Sequence, residues 1–231
     1  MSSSLRDIKK AIKGMIVMSA DLDDMYSAFM NNKLPPIWEK VSFASLKTLA
    51  SWVRDMTGRV DFMRTWLKNG QPATFPLPVF FFPQGFMTAS LQTFARRHMV
   101  AIDTLSFEFD VLRNGLQPEL ITEGPEDGVI IFGLYMEGAR FSHETWKCAD
   151  SLPGRMYDLL PAIYFKPAVN HKQAPNTYAC PVYKTAVRKG VLSTTGMSTN
   201  FVVPVEMPID ENETEQKYIL SGCAALLNLT D

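Results

Sequence analysis

The sequence has few of the residues that build disulfide or metal frameworks. It holds three cysteines among 231 residues, and an odd, widely spaced set gives neither a disulfide framework nor a zinc ligand set. The three histidines also lie far apart, so we do not expect a metal site built from them. The residues concerned are Cys148, Cys180, Cys223, His98, His143 and His171.

Long apolar runs and an excess of one charge are missing too. No run approaches the ~20 apolar residues that a membrane-spanning helix needs. The formal net charge is −1, and no basic patch points to nucleic acid or to a membrane surface as a partner. These features predict a reduced, soluble, intracellular protein that binds neither nucleic acid nor membrane.

The common signatures of nucleotide and catalytic sites are absent as well. The sequence contains no G-x-x-x-x-G-K-[ST] phosphate loop, no G-x-G-x-x-G, no H-E-x-x-H and no G-x-S-x-G. We therefore expect no cofactor in this protein and no enzyme activity of the protein by itself.

The sequence does contain a long amphipathic pattern over residues 5–30, which predicts one helix. Its length of ~37 Å exceeds what a small helical domain covers, so part of the apolar stripe should need an outside partner. Periodicity this close to the first residue is also expected of a domain excised from a larger protein. The stripe, interrupted only at Ser19, consists of Leu5, Ile8, Ile12, Met15, Leu22, Tyr26 and Phe29.

Two more helices are predicted in the first hundred residues. The second covers about 43–69, and the third about 84–98. A Pro-rich connector over 71–83 separates them and contains Phe80, Phe81 and Phe82, which we expect to be buried as an anchor between the helical and β halves. The apolar stripe of the second helix is Leu46, Leu49, Val53, Met56, Val60, Met63 and Leu67.

The pattern changes near residue 103 to short strand-like runs separated by turns. The predicted fold class is α+β, with an N-terminal helical half (1–103) followed by a small antiparallel β-barrel or sandwich (104–231). Pro181 and Pro204 indicate edges or bulges, and residues 143–151 suggest a short helix. The strand-like runs are 105–111, 129–136, 161–165, 178–183, 200–207 and 218–229.

Two segments invite an active-site interpretation. Glu137 and Arg140 are close enough in sequence for a catalytic pair, although a structural contact at the end of a strand is the favoured interpretation. The run LSTTGMSTN over 192–200 is rich in hydroxyl and amide groups and suits either an anion nest or, as we favour, a polar hairpin turn.

Several segments in one order resemble the C-terminal region of dynein heavy chains. The most distinctive is CPVYKTAVRKGVLSTTGMSTNFV, over 180–202, whose STTG-x-STN run is similar to the axonemal type. The sequence departs from the family pattern at 76–79, Met197, Tyr218 and Ser221, which affects the detail of the last hairpins. Supporting segments are FFFPQGFMTASLQTFARRH (80–98), IDTLSFEFDVL (102–112), DGVIIFGLYMEGARF (127–141) and GCAALLNL (222–229).

The resemblance implies a non-catalytic region that packs on the AAA+ ring of its own heavy chain and tunes ATPase coupling and movement along microtubules. It implies that the first helix docks on the preceding, sixth AAA+ module, and that ATP and Mg²⁺ bind elsewhere in the parent heavy chain. Implied wider partners are dynein intermediate and light chains and microtubules, in the cytoplasm, cytoskeleton and the axoneme of a cilium or flagellum.

Two other functions stay open from the residues alone. The β half alone suits a stand-alone β-barrel module that binds a ligand or a protein tail, which requires a concave cavity. An enzyme that uses Glu137 and the 193–200 turn requires Glu137 to face a cleft.

Overall fold

Helices dominate the first hundred residues of the computed structural model, which describes residues 1–188, 190–191 and 198–229. The described residues form two compact units, residues 1–61 and 62–229, and helix α4 spans the boundary between them. The change of secondary structure near residue 103 therefore falls inside the second unit. The helices are α1 (Ser2–Ile12), α2 (Ala20–Met30), α3 (Pro36–Glu39), α4 (Leu49–Asn69), α5 (Pro83–His98) and α6 (Glu215–Leu220).

The prediction of one helix over 5–30 is wrong, because α1 and α2 are separate. Gly14 has a φ of +72°, a left-handed conformation that suits glycine and ends a helix. Ser19 then starts α2 as its N-cap, and its Oγ accepts a hydrogen bond from the Leu22 amide at 3.4 Å. The serine that interrupted the apolar stripe is therefore a capping residue.

Helix α4 begins at Leu49, six residues later than predicted, and the face that it buries matches the predicted one only in part. Trp52 and Arg59 are its buried residues, whereas Val53 and Leu67 of the predicted stripe are 42% and 88% exposed. The predicted stripe is therefore right at Leu49, Met56 and Met63, which are partly buried against core residues. It is wrong where Trp52 and Arg59 are buried instead, because a buried arginine takes a position that the apolar pattern assigns to solvent.

Helix α5 confirms the predicted third helix within one residue. Pro83 stands in its first turn, where a missing amide hydrogen costs nothing. Met99 ends the helix in the left-handed conformation, at a φ of +53°.

Eleven strands are described, and all belong to the second unit. They form a four-stranded sheet in the order β1-β3-β8-β2, a five-stranded sheet in the order β10-β9-β11-β4-β7, and the hairpin β5-β6. The strands are β1 (Thr74–Pro76), β2 (Leu105–Val111), β3 (Val129–Phe132), β4 (Tyr135–Glu137), β5 (Arg140–Ser142), β6 (Lys147–Ala149), β7 (Tyr157–Leu159), β8 (Ile163–Val169), β9 (Thr177–Thr185), β10 (Phe201–Pro208) and β11 (Ala224–Asn228).

The sheets correct part of the predicted β architecture. A mixed α+β fold is confirmed, but the sheets formed by the described residues are open and do not close into a barrel. They are not purely antiparallel either, because β1 pairs with β3, and β11 with β9, in parallel.

Three predicted elements differ in detail. The run 129–136 is broken into β3 and β4 at Gly133, whose φ is +83°. Residues 143–151 form the turn and second strand of the β5-β6 hairpin instead of a helix. The run 218–229 begins in α6 and only then becomes β11.

Each unit has its own core. In the first unit, Ile8, Met25, Trp38 and Trp52 are buried together. In the second unit the core joins α5 and the faces of both larger sheets, and Phe75, Ile131, Met136, Phe165 and Leu227 are among its buried residues.

Candidate interaction surface

The predicted first-helix stripe divides into a buried part and an exposed part. Ile8 is 3% exposed, and Leu22 and Phe29 pack against the core of the first unit. The remaining stripe residues Leu5, Ile12, Met15 and Tyr26 are exposed. The buried residues of the stripe therefore hold α1 and α2 together, whereas the core leaves its exposed residues uncovered.

The uncovered apolar residues continue along the segment between α1 and α2. We call Ile12, Met15, Ile16, Val17 and Met18 the linker surface. Their exposed fractions are 59%, 69%, 39%, 89% and 38%. Apolar side chains gathered at this density on a surface are typical of an interaction site.

An aromatic stack in the first unit fixes the helices that carry the linker surface. The ring of Trp38 contacts Phe29 edge-on at 5.5 Å and stacks on Trp52 at 6.0 Å, and Trp52 stacks on Phe43 at 5.6 Å. The Trp38 indole N–H donates to Ser4 Oγ at 3.0 Å, which ties α3 to α1. The stack uses two of the protein's four tryptophans, the side chains best suited to anchor a small core.

Arg59 extends this stack and was missed by the sequence analysis. Its guanidinium lies 3.8 Å from the centre of the Phe43 ring and pairs with Asp55, with Nε 3.1 Å from Oδ1. Arg59 is 2% exposed, and burial lowers its pKa while the bond to Asp55 opposes that shift. The sequence did indicate the ion pair, because Asp55 and Arg59 are four residues apart in a predicted helix.

The three phenylalanines predicted to form a buried anchor do not act together. Only Phe80 is buried, stacked on Phe86 with ring centres 3.9 Å apart. Phe81 and Phe82 are 44% and 65% exposed. The expectation that all three are buried is therefore wrong: the chain bends at Phe81 and Phe82 just before α5 begins, and only Phe80 stays packed in the core.

Glu137 and Arg140 lie at the β4–β5 turn but do not contact each other through their side chains. Glu137 Oε2 pairs with Arg188 Nη2 at 2.6 Å, and the same nitrogen donates to the Gly222 carbonyl at 2.9 Å. Arg140 Nε donates to the Asp150 carbonyl at 3.1 Å. The partner of Glu137 lies far away in sequence, so spacing alone gave no signal for Arg188.

The polar run 192–200 falls mostly outside the described residues, since 192–197 are not described. Its described end is structural: Asn200 Oδ1 accepts from the Thr185 amide at 3.0 Å, and its Nδ2 donates to Thr185 Oγ1 at 2.9 Å.

The cysteines and histidines form no reactive centre in the described part of the protein. Cys148, Cys180 and Cys223 are buried and free. Burial raises the pKa of the Cys148 thiol, and a hydrogen bond with Cys223 together with burial raises the pKa of Cys180, which disfavours the reactive thiolates. Within residues 1–188, 190–191 and 198–229, no group of three or more His, Cys, Asp or Glu side chains is placed to hold a metal ion.

Nor is any helix among those residues long and apolar enough to cross a membrane.

The sequence matches one protein family over nearly its whole length. The sequence profile of the C-terminal domain of dynein heavy chains matches residues 1–227. The protein is similar to human dynein axonemal heavy chain 6 (39% identity over 99% of the present sequence), human dynein axonemal heavy chain 1 (41% over 99%) and human dynein axonemal heavy chain 12 (40% over 99%).

The present sequence spans only a small part of these relatives, 6%, 5% and 7% of their lengths respectively. The family match nevertheless extends over almost all of it, from the first helix to the last strand. The protein belongs to the family of C-terminal domains of dynein heavy chains.

Proposed function

We propose that this protein is the C-terminal region of an axonemal dynein heavy chain and acts as a non-catalytic, regulatory part of that motor. In this role it packs on the AAA+ ring of its own heavy chain and tunes the coupling of ATP hydrolysis to movement along microtubules. ATP and Mg²⁺ bind elsewhere in the heavy chain. The proposed location is the axoneme of a cilium or flagellum, together with intermediate and light chains.

The observation that carries the proposal is the linker surface. A region that packs on a neighbouring module needs an apolar patch that its own core leaves uncovered. Ile12, Met15 and Val17 are 59%, 69% and 89% exposed, and the aromatic stack holds the flanking helices in place. We propose the sixth AAA+ module as the partner of this surface.

The test is a charge placed on the linker surface of the parent heavy chain. Val17→Asp should weaken docking by roughly 3 kcal/mol, because it buries an unpaired carboxylate in the interface. We expect a lower microtubule-stimulated ATPase rate and slower microtubule gliding than in the unaltered motor.

Val41→Asp is the matched control. Val41 is 85% exposed, close to the 89% of Val17, and lies in the same unit outside the linker surface. The isolated domain with either change should keep the thermal stability of the unaltered domain. Equal motor activity of the Val17 and Val41 variants contradicts the proposed docking surface.

A further inference from the structure

A cavity bordered by aromatic rings opens on the second unit, between the end of α4, helix α5 and the loop before β3. Its volume is about 260 Å³, which exceeds the ~150 Å³ of a cavity that holds a benzene ring. A small organic group therefore fits. The rings that line this cavity, which we call the aromatic pocket, belong to Trp66, Phe75, Phe86 and Phe94.

A small side chain on α5 makes room for the pocket. Phe86, Ser90 and Phe94 follow one another at intervals of four residues, so they lie on one face of the helix. Ser90 is too short to fill the space between the two phenylalanines. Ala89 and Thr93, which are also small, line the same cavity.

Contacts between the rings hold the walls of the pocket in place. The ring centre of Phe75 lies 5.2 Å from that of Trp66 and 5.0 Å from that of Phe86. At the other end of the pocket, Phe94 packs on the His98 ring with centres 4.3 Å apart. Because these side chains are already ordered, a ligand loses little affinity to their ordering.

The rim of the pocket has an uncompensated negative charge. Arg97 Nη1 donates to Asp127 Oδ1 at 2.8 Å, and His98 Nε2 lies 2.8 Å from Asp127 Oδ2. The charges of Arg97 and Asp127 therefore offset each other when His98 is neutral. Glu126 lines the pocket next to them and is exposed, and its carboxylate forms no ion pair with any residue that the structure describes.

This combination of rings and charge favours a cationic ligand. Aromatic rings attract a cation through the negative charge of their faces, and quaternary ammonium groups are held by several rings around one space. A carboxylate at the rim adds Coulomb attraction for the same ligand and repels an anion.

We propose that the aromatic pocket binds an organic ammonium group, with the cation among Trp66, Phe86 and Phe94 and with Glu126 as its counter-charge. The group belongs either to a free amine such as choline or to a lysine side chain of another polypeptide, which share this chemistry. The site is separate from the linker surface, and its binding does not depend on the proposed motor role.

Choline and its neutral isostere, in which a carbon replaces the nitrogen, test the role of the charge. Each is titrated into the whole 231-residue protein while the NMR signals of the Trp66 indole N–H and the Ser90 amide are followed. Choline should bind with a Kd of about 1 mM or below, and about fivefold or more tightly than the isostere, because only choline gains the cation–π attraction.

Sodium chloride at the same concentration controls for ionic strength and should not shift these signals. The absence of a saturable shift at about 20 mM choline overturns the proposal. Equal binding of choline and its isostere overturns it too, because the pocket then recognises shape without charge.

Matched variants locate the site. Ser90→Leu should weaken choline binding about tenfold by filling the space that Ser90 leaves, whereas Gln92→Leu, at an exposed position of α5 outside the pocket, should leave it unchanged. Glu126→Gln should weaken it about threefold at low salt, with Glu123→Gln, exposed in the same loop but outside the pocket, as the control. Equal effects within either pair overturn the location.

A peptide that carries one trimethylated lysine, acetyl-Gly-Ser-trimethyllysine-Ser-Gly-amide, distinguishes the two sources of the ammonium group. Binding about tenfold tighter than that of choline identifies a lysine of another polypeptide, because the peptide then gains contacts outside the pocket. Binding equal to that of choline or weaker identifies a free amine. Peptide binding that Ser90→Leu leaves unchanged overturns the proposal.

Discussion

The aromatic stack of the first unit includes one charged residue, Arg59, which is buried against an aromatic ring. Arg59 is 2% exposed and lies against the Phe43 ring at 3.8 Å. Its charge is compensated by Asp55, which also lies 3.6 Å from Lys47. A buried guanidinium is tolerated only while a carboxylate stays beside it.

Removing that carboxylate should destabilise the protein strongly. We expect Asp55→Ala to lower the free energy of unfolding by ~3–5 kcal/mol, because the buried charge of Arg59 then loses the carboxylate of Asp55. Urea denaturation followed by tryptophan fluorescence measures this, since Trp38 and Trp52 lie in the same core.

Two variants control the result. Asp55→Ala combined with Arg59→Met should recover much of the loss, because an apolar side chain then replaces the buried charge. Asp24→Ala, at an exposed position of α2, should change stability by no more than ~0.5 kcal/mol. A loss below ~1 kcal/mol for Asp55→Ala contradicts the assigned role of the pair.

At the scale of elements, the break between α1 and α2 decides what the first thirty residues present to a partner. One helix would have placed the whole apolar stripe on a straight face. Two helices joined at 13–19 fold part of the stripe into a core and project Met15 and Val17, which are 69% and 89% exposed. The linker surface is therefore a consequence of the break.

The substitution Ser19→Ala tests whether the helix is broken at this residue, because a broken and a continuous helix predict stability changes of opposite sign. If Ser19 caps α2, the change should destabilise the protein by ~1 kcal/mol and speed amide exchange at Leu22. If residues 5–30 formed one helix, the same change would stabilise it, because alanine is the better helix former. Thermal unfolding and hydrogen exchange measure both effects.

Ser3→Ala, at an exposed position inside α1, is the matched control and should be neutral or slightly stabilising. If Ser19→Ala stabilises the protein as much as Ser3→Ala does, Ser19 does not cap α2.

At the scale of the whole molecule, the proposed role requires that nucleotide chemistry lie elsewhere in the heavy chain. The sequence has no phosphate-binding loop. We therefore expect isothermal titration of the isolated domain with Mg-ATP to give no heat of tight binding. The parent heavy chain, titrated under the same conditions, is the positive control. A micromolar affinity of the isolated domain for Mg-ATP contradicts the proposal that nucleotide binds only elsewhere in the heavy chain.

Much of the fold could be predicted locally, where one residue type fixes the backbone. The proline-rich connector before α5 marked the start of that helix within one residue of its prediction. The alternation of β2 gave its limits, Leu105–Val111. The strand-like runs likewise indicated a protein with a β-rich second part.

The candidate surface was only partly predictable, because apolar spacing does not say which residues find a partner within the same protein. The stripe marked Ile8 and Met15 alike, yet only Ile8 is buried. Phe80 and Phe82 looked equivalent in sequence, and the packing of Phe86 against Phe80 separated them. Glu137 was singled out, but its partner Arg188 lies 51 residues away.

By itself the sequence determined the family, the order of helical and β segments and the absence of a recognisable nucleotide loop, because these depend on residue identity and local spacing. Tertiary structure decided which face of α4 is buried, where the linker surface projects and whether the sheets close. Those features depend on contacts between residues distant in sequence, such as Arg59 against Phe43, and on which strands pair with one another. The spacing of residue types along the sequence does not specify which distant residues come into contact, because those contacts form only when the whole core packs.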